Sequence, residues 1–115
     1  ADRSYVNAGL CSRQRGDTPG AEQHFLRALA VRPNQLQALY QMADIAYARG
    51  DYAAAKTYLN RFTQTGSANA EMLWLGVRVE RKVGDRNSEA SYALQLSRNF
   101  PNSKEANALL AGQYE

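Results

Sequence analysis

Apolar and small residues return along this chain at three- and four-residue steps, separated by charged and amide residues. Tyr5, Val6, Ala8, Gly9 and Cys11 do so between Ser4 and Arg15. Leu39, Met42, Ala43, Ala46 and Tyr47 repeat the pattern, and Met72, Leu75, Gly76 and Val79 repeat it again. Such steps keep one face of a helix apolar, so each stretch predicts an amphipathic helix. Three further helices are expected over Thr18 to Val31, Asp51 to Thr65 and Asn87 to Asn99. Their apolar sides carry Ala21, Phe25, Ala28 and Leu29; Ala55, Leu59 and Phe62; and Ala90, Ala93, Leu94 and Leu96. A last helix is expected from about Ser103, carrying Ala106, Leu109, Leu110 and Tyr114 to the end of the chain.

The helices fall in a register. Gly-Asp occurs at Gly16-Asp17, Gly50-Asp51 and Gly84-Asp85, each 34 residues after the one before. Pro33 and Pro101 lie two periods apart, and Ser67 stands where the middle proline would fall. Glycine accepts the left-handed conformation that follows a helix, and an Asp or a nearby polar residue caps the next N-terminus. Thr18-Pro19 reads as an N-cap followed by proline at the first helical position.

Helix hairpins at this period resemble the tetratricopeptide repeat, whose pattern runs W-x2-L-G-x2-Y, then A-x3-F, then P. The first unit matches through Tyr5, Ala8-Gly9, Ser12, Ala21, Phe25 and Pro33, the second through Leu39, Met42-Ala43, Ala46, Ala55 and Leu59. The third keeps Leu75-Gly76, Val79, Ala90, Leu94 and Pro101, with its first helix one residue early and its second one late. That offset implies a longer turn around Val83 to Ser88. The resemblance implies an all-α fold, an α-solenoid of three hairpins plus a C-terminal capping helix, within a single domain. Repeats are placed at about 2–35, 36–69 and 70–103, and the cap at about 103–115. Gly9, Ala43 and Gly76 are expected to let the two helices of a hairpin approach, and Ala21, Ala55 and Ala90 to accept the neighbouring helix.

Composition narrows the chemistry. The chain has 115 residues, 44% of them apolar and 22% charged, and about one in six is alanine, the best helix former. Its net charge of +3 is mild, and its Lys and Arg are spread along the chain, which argues against nucleic-acid binding. No apolar run is long enough to span a membrane. One cysteine, Cys11, and one histidine, His24, build neither a disulfide nor a structural metal site. No acid, base and nucleophile can be assembled, so neither catalytic residues nor cofactors are expected. Cys11 reads as a small buried residue, His24 as a surface or half-buried one, and Trp74 as core or groove wall. Arg78, Arg81, Lys82 and Arg86 read as a solvated basic face.

In a stack of hairpins the first helices line the inner surface. The groove residues expected there are Arg3, Val6, Leu10 and Arg13, then Tyr40, Asp44 and Tyr47, then Leu73, Val77 and Arg81. Exposed aliphatic and aromatic side chains bordered by Arg suit an extended peptide or a partner's helix. Repeat proteins that clamp chaperone carboxylates use Lys and Asn on these helices. Val6, Leu10, Ala70 and Trp74 occupy the corresponding places here, so no such clamp is expected.

A narrower resemblance lies in Leu73-Trp74-Leu75-Gly76-Val77-Arg78-Val79-Glu80 and in Ala90-Ser91-Tyr92-Ala93-Leu94-Gln95-Leu96, followed by Phe100-Pro101-Asn102-Ser103. Together with Asn7 to Cys11 and Ala21 to Leu29, these runs resemble the later repeats of bacterial type IV pilus biogenesis lipoproteins, the pilotins. That resemblance implies a scaffold on the periplasmic face of the outer membrane whose protein partner is the pilus secretin. Membrane contact would pass only through an N-terminal lipid anchor absent from this chain. The alternatives are a repeat adaptor for another envelope or cytoplasmic assembly, and a regulatory repeat domain of a larger enzyme. An apolar face left open on the first repeat would favour self-association. The packing reading carries its own test: Ala55→Leu is expected to lower stability by about 1–3 kcal/mol through overpacking, read from the denaturant midpoint.

Overall fold

The computed structural model describes residues 1–115. Seven helices follow one another: α1 (Asp2–Gln14), α2 (Thr18–Val31), α3 (Leu36–Arg49), α4 (Tyr52–Thr65), α5 (Ala70–Val83), α6 (Arg86–Asn99) and α7 (Lys104–Ala111). The fold is all-α, as the periodicity predicts. Two compact units divide it, Ala1–Gly66 with α1 to α4 and Ser67–Glu115 with α5 to α7.

Each Gly-Asp pair both ends a helix and starts the next. Gly16, Gly50 and Gly84 have φ of +78°, +86° and +89°, which a side chain would strain. The amide of the following Asp then donates to a carbonyl five residues back, Asp17 to Ser12, Asp51 to Ala46 and Asp85 to Glu80. That bond closes the helix end by the Schellman geometry. The same Asp accepts, through its carboxylate, the amide three residues on: Gly20, Ala54 and Ser88 respectively. Asp17 is therefore the cap of α2, and Thr18, expected in that role, is its first helical residue.

In the first and third hairpins the helices meet where a side chain is missing. A Cβ built on Gly9 would stand 2.5 Å from the ring of Phe25, and one on Gly76 would stand 2.8 Å from the ring of Tyr92. Gly9 and Phe25 are 16 residues apart, as are Gly76 and Tyr92, and Ala43 and Leu59 keep the same spacing. This corrects the expected irregularity of the third repeat. Both of its helices pack one residue early relative to the 34-residue period, while Gly84-Asp85 keeps its place. The turn has slid along the hairpin without lengthening, and α6 begins at Arg86 directly after its cap.

The slide changes which residues of α6 are buried. Tyr92 and Leu96 face inward, whereas Leu94 is 55% exposed and Ala90 lies on the exposed side. The place that Ala21 and Ala55 fill completely buried in the first two hairpins falls to Ser88 in the third, and its hydroxyl donates to the cap Asp85 at 2.8 Å. Cys11, expected in the core, is exposed, while its neighbour Ser12 is buried. A helix turns 100° per residue, so a one-place error in the assigned face exchanges the two.

In the first unit α1 packs on α2, α3 on α4, and α2 on α3. In the second, α5 pairs with α6, and α7 lies against both. Ser103 caps α7 by accepting the Ala106 amide at 3.0 Å. That helix stops at Ala111 because Gly112 turns left-handed at φ +68°. Tyr114, expected inside it, belongs to the segment beyond, and Leu110 is 82% exposed.

Polar ties fix the start of the first unit. The Gln35 side-chain amide donates to Asp2 at 3.1 Å, and the Arg32 guanidinium lies 3.6 Å from the same carboxylate. Together they hold the first turn of α1 to the α2–α3 connection. Arg61 donates to the Pro33 carbonyl at 2.8 Å and ties α4 to that connection as well. The Gln35 hydrogen bond lowers the Asp2 pKa, and Arg32 acts in the same direction against partial burial.

Two outcomes are expected. Gly9→Ala should destabilise the chain by about 1–2 kcal/mol in chemical denaturation. The helix-propensity gain of alanine is outweighed by overpacking against Phe25, which is fully buried and held. The Asp2 ties should stabilise the fold above the ordinary aspartate pKa, and the contribution should fade as pH falls through the depressed folded value. Gln35→Leu should move the Asp2 pKa back up, read by NMR titration of its carboxyl carbon.

Candidate protein-binding surface

A first helix of a hairpin has neighbours on more than one side, which limits what it leaves exposed. In α1 the Arg13 guanidinium reaches across to α3, where Nη1 donates to Gln41 Oε1 at 2.6 Å and to Asp44 Oδ2 at 3.0 Å. Arg13, which looks away from α2, thus meets α3. In α5 the buried residues are Met72, Leu73, Leu75, Gly76, Val77, Val79 and Glu80, far more than one face of a helix.

Four of the expected groove residues are buried. Val6 and Leu73 are each 1% exposed, Val77 is 0% and Tyr47 8%. They are core residues, which corrects their expected place in an open groove. Tyr47 packs its ring against that of Tyr52, with centroids 5.6 Å apart.

The remaining six are reachable from solvent, five in the first unit and one in the second. In the first, Arg3 is exposed, and Leu10, Arg13, Tyr40 and Asp44 are half-buried. Arg13 and Asp44, expected as separate liners, form an ion pair with side chains 30% and 28% exposed. Their charges neutralise each other locally, and Gln41 fixes the geometry. The pair holds the long Arg13 side chain against the short Asp44 and so forms a pre-set polar patch, one helical turn from Leu10 on α1 and from Tyr40 on α3.

Arg3 belongs to a second feature of the same unit. With Arg32, Asn34, Gln35, Leu36, Gln37 and Thr65 it lines an open cleft of about 440 Å³. Apart from Leu36 the lining is polar, and two of its members are guanidinium groups. The sequence pattern singles out Arg3 but not the others, most of which come from the α2–α3 connection. Pro33 and the polar run after it mark that connection only as a turn.

In the second unit Arg81 is exposed, but its surroundings are occupied. Its guanidinium lies 4.0 Å from the centre of the Tyr114 ring and 3.7 Å from the Glu89 carboxylate. Tyr114 also stacks on Trp74, with centroids 5.7 Å apart and planes 23° from parallel. Trp74 is half-buried, and Arg78 covers its ring at 5.3 Å. The aromatic pairing is not legible in the sequence, because the apolar spacing puts Tyr114 at a helical core position. His24 is half-buried, and its Nδ1 is shielded without a hydrogen-bond partner. No helix is long and apolar enough to cross a membrane.

Known proteins match this architecture. A curated relative, the type IV pilus assembly protein PilF of Pseudomonas aeruginosa, is 38% identical over 103 residues, spanning 90% of this chain and 41% of PilF. The solved structure of Pseudomonas aeruginosa PilF superposes with a TM-score of 0.88 at 36% identity, over 96% of this chain and 50% of that one. PilW, described as a widely conserved type IV pilus biogenesis factor, superposes with a TM-score of 0.79 at 27% identity, over 95% and 50%. This chain therefore spans about half the length of the relatives it matches. The tetratricopeptide repeat profile matches residues 12–73, from the end of α1 into α5. Because that match takes in more than half of the sequence, this chain belongs to the tetratricopeptide repeat family.

Proposed function

We propose that this chain is part of a non-catalytic scaffold of type IV pilus biogenesis, a pilotin that binds the pilus secretin and supports its assembly at the outer membrane. The observation that carries the reading is the likeness to PilF, 38% identical across 90% of this chain. Identity at that level extends well beyond the small residues and glycines that any helix-hairpin repeat needs. The longer protein would carry the membrane anchor as an N-terminal lipid on the periplasmic side, and this part would contribute binding surface.

The surface offered in the first unit is the patch of Leu10, Arg13, Tyr40 and Asp44, with Arg3 in the separate cleft of the same unit. Tyrosine and arginine lose little freedom on binding when they are already held, and they dominate interface energies. The Arg13–Asp44 bond supplies that hold for the arginine. An extended segment of secretin would lay apolar side chains on Leu10 and Tyr40 and place its polar groups against the ion pair.

Loss of the gene is expected to deplete assembled secretin multimers in the outer membrane, assayed by immunoblotting membrane fractions without heating. Unchanged multimers would remove the pilotin reading. In the full-length protein Tyr40→Ala should weaken secretin binding by about 1–2 kcal/mol in calorimetric titration. Exposed Cys11, changed to Ser, should leave it unaltered.

A further inference from the structure

The α5 surface around Trp74 has the construction of a recognition site with an occupant in place. Trp74, Arg78, Arg81 and Lys82 follow at helical spacing on one side of α5. Against them lies the short segment after α7. Gly112 reverses the chain at φ +68°, and the Gln113 amide donates to the Ala108 carbonyl at 3.0 Å. Tyr114 then inserts its ring beside the Trp74 indole and under the Arg81 guanidinium, 5.7 and 4.0 Å from its centre. Glu115 comes next, with its carboxylate 3.8 Å from the Lys82 ammonium.

These contacts do not look like core closure. The Arg81 and Lys82 side chains are 51% and 44% exposed, and the Glu115 side chain is 67% exposed. The packed side of α7 carries buried Ala106 and half-buried Leu109, while Leu110, nearest the segment, is 82% exposed and is not covered by it. The side-chain contacts of the segment include one ring between an indole and a guanidinium, and one carboxylate beside the ammonium of Lys82. Stacking and cation–π contacts at partly exposed sites are each weak. A short tether raises the local concentration of the segment to the millimolar range, so weak contacts suffice to keep it there.

We propose that this face of α5 is a docking surface for an extended segment of a partner protein in which an aromatic residue is followed directly by a carboxylate. Tyr114 and Glu115 occupy the surface in cis and are displaced by that segment. The basic cluster of α5 supplies the charge complement to the carboxylate, and Trp74 supplies the platform for the ring. The inference does not depend on the pilus reading, and its test uses no pilus component.

Trp74 is the single tryptophan, so its fluorescence reports on the surface directly. The probe is an N-acetylated peptide copying residues 109–115. The control peptide carries alanine and lysine in its last two places. Both are titrated into the 115-residue chain and into its Tyr114→Ala variant. The variant is expected to respond saturably to the copying peptide, with a dissociation constant at least about tenfold below that of the unsubstituted chain. That ratio corresponds to a surface covered in cis about nine-tenths of the time. The control peptide should produce no response. Equal affinities for the two proteins, or no saturable response of the variant up to millimolar peptide, would overturn the proposal. If Tyr114→Ala lowers the helical circular dichroism signal, Glu115→Lys takes its place, since it keeps the stacked ring and opposes Lys82 with a like charge. A gain in peptide affinity then supports the proposal, and an unchanged affinity overturns it.

Discussion

The close approach of the two helices within a hairpin is the constraint on which the rest of the structure depends. At Gly9 and Gly76 there is no side chain, and an aromatic ring from the second helix fills the space down to the backbone. Buried aromatic area is the largest contribution a single residue makes to such a core. The contact also fixes the axial register of the pair. Phe25 and Tyr92 each lie 16 residues beyond their glycine, so the second helix cannot slide without driving the ring into a neighbour's Cβ. The Gly-Asp turn then has only to join two helices whose positions are already set, which is why it tolerates displacement by one residue in the third hairpin.

That division of labour explains what can be read from the sequence. The helices, their order and the capping role of Gly-Asp are all legible, because left-handed glycine and side-chain capping depend on residues adjacent in the chain. The face assignments in α6 are not. Aligning by the turn places Ala93 opposite Gly76 and matching the A-x3-F pattern places Leu94 there, whereas the 16-residue spacing places Tyr92 there. The spacing is present in the sequence and gives the correct face, but it competes with the more conspicuous Gly-Asp period. Cys11 and Ser12 exchange places for a related reason. Both are small, and one residue of angular error decides which of them is buried.

The surface is legible to a smaller extent. Arg3, Leu10, Arg13, Tyr40 and Asp44 are accessible as expected, but Val6, Tyr47, Leu73 and Val77 belong to the core. A pattern of apolar steps tells which residues avoid water. It does not tell how many neighbours a helix has, and a helix flanked on several sides buries residues that a two-helix hairpin would expose. The Arg13–Asp44 pair and the Trp74–Tyr114 stack join residues 31 and 40 positions apart, and no local pattern announces such partners.

The polar exposed residues acquire meaning from the same packing. α3 and α5 give most of their circumference to neighbours, whereas α1 buries only Val6, Gly9 and Ser12. On the proposed surfaces recognition would fall to narrow strips, and a strip of a few side chains must be ordered to discriminate. Arg13 is ordered by Gln41 and Asp44 before any partner arrives. Trp74 is ordered by Arg78 and Tyr114. In both places a guanidinium commits its hydrogen bonds or its charge to a group of the same unit, which reduces the net field but removes the entropy of arranging a long side chain at the moment of binding. Such a surface discriminates by shape and by the position of a ring or a carboxylate, and bulk charge contributes little.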